Sequence, residues 1–95
     1  MIITITTSHL TPEQFRQSEV FLPSFLPKLR TFPGVINLYH YVGPDPHSRT
    51  TLVIWNSEEA LQAYRQSDLV KEANTHAERV GEQVTRETYP LLYSD

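Results

Sequence analysis

Residues 49–64 read RTTLVIWNSEEALQAY. Leu52, Val53, Ile54 and Trp55 follow one another, so a strand here carries Leu52 and Ile54 on one face and Val53 and Trp55 on the other. With no linker between them, Asn56 or Ser57 then caps a helix that opens on Glu58 and Glu59 and continues through Ala60, Leu61 and Tyr64. An antiparallel strand with one face in water alternates apolar and polar residues. This one is apolar on both sides, so both sides need cover.

The neighbouring segments supply an order for the elements. Residues 1–8 alternate Ile3 and Ile5 against Thr4 and Thr6, as a strand does. Thr11-Pro12-Glu13-Gln14 combines a capping hydroxyl, a proline suited to the first helical position and a glutamine placed to reach back to the cap. Phe15, Leu22, Phe25, Leu26 and Leu29 line one side of that helix, and Pro23 and Pro27 predict a kink or restart near Leu22. Phe32-Pro33-Gly34 ends it. A second strand over 35–42 divides into Ile36, Leu38, His40 and Val42 against Val35, Asn37, Tyr39 and Tyr41. GPDPHS, residues 43–48, reads as a loop. The helix after Trp55 is expected to break at Ser67-Asp68 and to resume through Leu69, Val70, Ala73, Ala77 and Val80 up to Gly81. A last strand covers about 82–89.

The order β-α-β-β-α-β predicts an α+β, ferredoxin-like fold, a four-stranded antiparallel sheet with both helices on one face, built as a single domain over residues 1–95. Helices on one face leave the other bare. Several apolar side chains would then stand in water at about 25 cal/mol per Å², so a second copy of the chain is expected to cover them, making a homodimer.

Composition excludes several classes of function. Eight Lys and Arg against eleven Asp and Glu give a net charge of −3, which argues against a nucleic-acid partner. An RNA-recognition module has the same element order but needs stacking aromatics and basic residues on its central strands, and the first strand here has neither. Without cysteine, neither disulfides nor thiolate chemistry is available. No apolar run approaches the roughly 18 residues of a membrane span, and MIITITTSHL lacks a basic leader region, so a cytoplasmic protein is expected. The four histidines show no metal-ligand spacing.

From FPGVINLYHYV through TTLVIWNSEEALQAYRQSDLVKEA, the chain resembles the antibiotic biosynthesis monooxygenase family. The resemblance rests on the Pro-Gly before the second strand, Trp55 closing the third, the acidic helix start at Glu58, Glu59 and Ala60, and the Ser67-Asp68 break. It implies a dimeric α+β barrel and oxidation of a small aromatic, quinol or polyketide-like substrate by O₂, with no metal, flavin or other cofactor, in a cavity between sheet and helices. In the polyketide-oxygenating branch an Asn four positions before the Trp and a Tyr six after it bind substrate; here those positions hold Thr51 and Leu61. A haem-degrading branch uses an Asn, a Trp and a His at positions that here correspond to Thr6 or Thr7, Tyr64 and Asn74. These departures speak against haem breakdown and leave a non-catalytic dimer that binds a small molecule, or serves as a stress or accessory protein, as the rival reading.

The candidate catalytic residues are His40 and His76. His40 lies mid-strand on an otherwise apolar face, and His76 falls at helical spacing from Leu69, Ala73 and Val80. An imidazole is the natural general base near neutral pH, although a histidine bonded within the structure is the commoner case. Trp55, Tyr64, Thr51 and Asn74 are the candidate substrate contacts. For Trp55 the plain alternative is core packing, and for Tyr64 a buried ring with its hydroxyl at the rim. His9 and His47 read as loop residues. A cavity filled solid by Phe, Leu and Trp favours the binding protein; His40, Tyr64 or His76 converging on open space favours the oxygenase.

Overall fold

The computed structural model describes residues 1–94. In chain order it contains β1 (Ile2–His9), α1 (Pro12–Arg30), β2 (Val35–Val42), β3 (Ser48–Trp55), α2 (Glu58–Arg65), α3 (Asp68–Val80) and β4 (Gln83–Pro90). The strands form one antiparallel sheet in the order β2-β3-β1-β4, which is the ferredoxin-like arrangement. No helix of the described residues is long and apolar enough to cross a membrane.

Local chemistry sets the helix ends. Thr11 and Gln14 form the reciprocal capping box, with the Gln14 N–H donating to Thr11 Oγ1 at 3.3 Å and the Thr11 N–H to Gln14 Oε1 at 2.9 Å. Gln14 Nε2 also donates to the carbonyls of Val80 and Gly81, tying the start of α1 to the end of α3. Ser57 and Ser67 cap α2 and α3, so the expected break at Ser67-Asp68 is a true division into two helices. Gly81 closes α3 in the left-handed conformation.

Of the kink or restart expected near Leu22, the restart does not occur, since helix α1 runs from Pro12 to Arg30 as one element. Pro23 and Pro27 deprive the carbonyls of Glu19 and Pro23 of their usual donors. Glu19, Pro23 and Pro27 all lie on the exposed side of the helix, where water can hydrate the freed carbonyls.

A bulge changes the expected facing of β2. Val35 stands opposite Trp55 and Asn37 opposite Ile54, so Ile36 is the extra residue. Val35 therefore packs on the helix side, against the core, rather than with Tyr39 and Tyr41. The core itself is Phe25, Leu29, Val53, Trp55 and Leu61. Trp55 is 1% exposed, donates from Nε1 to Thr4 Oγ1 at 3.0 Å, and contacts the rings of Phe32 and Tyr64.

The facing of β1 decides what lies on each side of the sheet. Trp55 reaches Thr4 beneath the helices, so Thr4, Thr6 and Ser8 look toward the helices while Ile3 and Ile5 look away from them. On that outer face Ile3 and Ile5 join Leu52, Ile54, Tyr39 and Tyr89 across the strand register.

Candidate active site

Above the polar side of β1 the helices leave a cavity of about 130 Å³. Its floor is two rows of the sheet. His40, Thr51, Thr6 and Arg86 are neighbours across four strands, and Val42, Arg49, Ser8 and Val84 form the next row. The roof is largely apolar, with Phe21, Leu22 and Leu26 from α1 and Val70, Ala73 and Ala77 from α3. A second, more open hollow of about 460 Å³ shares Leu22, Leu26, His40 and Arg49 with the first and leads outward between α1 and β2.

His40, Thr51, Tyr64, Asn74 and His76 all border the inner cavity, whereas Trp55 does not. Trp55 instead backs the Tyr64 ring at 5.2 Å between centroids. Sequence reasoning did not single out Ser18, Arg49, Glu82 or Arg86, which also border the cavity. Glu82 follows Gly81, whose left-handed turn swings the chain back under α3, and nothing in the local pattern marks it.

His76 and Glu82 form an enclosed acid–base pair. His76 Nε2 lies 3.2 Å from Glu82 Oε2, with side-chain exposures of 12% and 7%. Ser18 Oγ is 3.3 Å from the same nitrogen, and the imidazole stacks on Phe21 with centroids 4.0 Å apart. Nε2 is the ring nitrogen that meets both Ser18 and Glu82, which leaves Nδ1 as the nitrogen engaged by neither. An imidazole paired with a carboxylate thus borders the cavity.

Tyr64 and Asn74 stand near the β4 edge. Burial pushes the Tyr64 phenol up to about 12, against a smaller opposing effect of Arg86, so the group is a neutral donor at ordinary pH. Asn74 Oδ1 accepts from the Arg86 guanidinium at 3.2 Å. At the other edge, the His40 Nδ1 and Thr51 Oγ1 are 2.9 Å apart. Desolvation chiefly, and then the charge of Arg49, hold the His40 pKa below the ordinary imidazole value. The unfolded chain therefore binds this proton more readily than the folded one. Stability due to His40 is present above the ordinary imidazole range and is lost as pH falls through it. We expect the melting temperature to drop more between about pH 7.5 and about pH 5.5 in the wild type than in His40→Gln; equal drops would show that His40 contributes nothing to the acid sensitivity.

Among the described residues no cluster of three or more His, Cys, Asp or Glu is arranged to hold a metal ion. Comparison with solved structures finds the same fold in a Deinococcus radiodurans protein named for the antibiotic biosynthesis monooxygenases, with a TM-score of 0.89 at 13% identity over 100% of this chain and 96% of that one. A Nitrosomonas europaea protein named for the same family gives 0.81 at 14% identity, covering 98% and 100%. A conserved Methanosarcina mazei protein gives 0.80 at 21% identity, covering 93% and 89%. The curated proteins provide no match. The family model for antibiotic biosynthesis monooxygenases matches residues 1–76, and the chain belongs to that family.

Proposed function

We propose that this chain is a cofactor-independent monooxygenase that oxidises a small, single-ring phenol or quinol with O₂. The observation that carries the reading is the enclosed His76–Glu82 pair on the edge of a cavity with an apolar roof and a polar floor. An apolar cavity of about 150 Å³ holds benzene, so a space of about 130 Å³ has room for one aromatic ring.

His76 Nδ1 takes the proton of a substrate hydroxyl, and Glu82 stabilises the imidazolium that results. In an apolar surround the quinolate so formed is a strong one-electron donor. One electron passes to O₂, the semiquinone and superoxide join through a new C–O bond, and loss of water leaves a hydroxyquinone. The balance is quinol plus O₂ giving hydroxyquinone plus water, so the substrate supplies all the reducing power. The Tyr64 hydroxyl, which has no hydrogen-bond partner among the described residues, is a neutral donor on the same cavity, toward the Arg86 end.

The polar side chains around open space favour this reading over a binding protein with a filled interior. Purified protein is expected to raise O₂ uptake above the no-protein control for at least one member of a panel of single-ring substituted hydroquinones and phenols. Uptake equal to the control throughout the panel would overturn it.

The active unit is proposed to be a dimer that joins two sheets through Ile3, Ile5, Leu52, Ile54, Tyr39 and Tyr89. Support comes from β1, a central strand that aims its isoleucines away from its own helices.

A further inference from the structure

The two ends of the cavity differ in charge. Near α1 and the start of β4, Glu82 is matched by His76. Four residues on, roughly 13 Å along the strand, Arg86 has no carboxylate partner among the described residues, and only Asn74 Oδ1 engages it. Because that oxygen accepts from Arg86, the Asn74 amide turns its N–H groups elsewhere. The Tyr64 hydroxyl nearby is a donor without a partner, and Thr6 sits beside Arg86 in the strand register. Donors gather at this end without an anion to receive them, in a protein whose net charge is −3. Arg49, the other guanidinium on the cavity, is already committed: its Nη1 donates to the carbonyls of Pro46 and Ser48, and its plane covers the Phe15 ring at 4.2 Å.

We propose that the substrate is an aromatic acid: a ring hydroxyl faces His76, and a carboxylate on the far side of the ring is held by Arg86, Tyr64 and Asn74. This rests on the reading of the cavity as a substrate site and narrows its class. A carboxylate matches the flat guanidinium fork. The exposed position of Arg86 on the edge strand lets the carboxylate dock while still partly hydrated, so its desolvation stays small.

The test uses binding alone, under nitrogen and without turnover, so it is independent of oxygenase activity. Dissociation constants are measured by calorimetry for 4-hydroxybenzoate and its neutral isostere 4-hydroxybenzamide, with wild type, Arg86→Gln, Arg86→Lys and Arg49→Gln. The expected result is a preference of about tenfold or more for the acid in wild type, abolished in Arg86→Gln, kept in part by Arg86→Lys and retained in Arg49→Gln. Equal binding of the two ligands, absence of binding by either, or a preference that survives Arg86→Gln in a folded variant would overturn the proposal. Acid-selective binding without O₂ uptake on any phenol would sink the oxygenase and leave this inference standing. Uptake on neutral quinols without acid preference would do the reverse.

Discussion

Replacing His76 by Gln is expected to slow substrate-dependent O₂ uptake by about 10²- to 10⁴-fold, the range usual for loss of a general base. Glutamine is close to imidazole in size and can still donate to Glu82, but it cannot take a proton. The fold should survive, since Phe21 also packs on Phe25 with ring centroids 5.0 Å apart, and circular dichroism checks this. The pH profile adds a signature that a merely structural role would not give. Where the enzyme no longer removes the proton, the substrate must ionise in solution, so the His76→Gln rate should rise about tenfold per pH unit below the phenol pKa of about 10. The wild-type rate should level off earlier. An unchanged rate in His76→Gln would move the base elsewhere, with His40 the next imidazole on the cavity.

The second large effect concerns assembly. Four strands of eight residues present a face of roughly 19 by 26 Å, about 500 Å² in projection before side-chain relief is added. Standard interfaces bury about 800 Å² per partner, so the face is of the right order for a stable dimer. In solution at micromolar concentration the protein should sediment at twice its 11.0 kDa chain mass. Leu52→Lys places an unpaired charge between Ile5 and Tyr39. Burying that charge costs several kcal/mol, enough to weaken association by 10²-fold or more. Val20→Lys, on the outer side of α1 where the residue is 82% exposed, should leave the dimer intact. Wild-type protein that stays at a single chain mass up to millimolar concentration would contradict the interface.

Much of the fold was legible because its signals are local. Thr11 with Gln14, Ser57, Ser67 and Gly81 each act within a turn of their own position, so element order followed directly from sequence. The facing of the strands was less legible. In β1 the alternation separates Thr4 and Thr6 from Ile3 and Ile5 but does not say which set the helices cover; they cover the threonines, and Thr6 lines the polar floor of the cavity. The bulge at Ile36 reverses Val35 for a reason that lies in pairing with β3, not in β2 itself. The site was legible where an unusual residue type broke a pattern, as His40 and His76 do. It was hidden where ordinary surface residues are brought together from distant segments. Ser18, Glu82 and Arg86 each look like solvated positions in sequence, and only the return of β4 beside β1, with α1 and α3 above, joins them.

The central claim is that substrate deprotonated in this cavity receives one oxygen atom directly from O₂. It is tested most directly by turnover under ¹⁸O₂, with the product reduced and trapped before its oxygens exchange with water. The account predicts one ¹⁸O atom per hydroxyquinone formed, the second appearing in water, and loss of the labelled product in His76→Gln. Unlabelled quinone accompanied by an equal amount of hydrogen peroxide would contradict it, since the protein would then only pass electrons to oxygen.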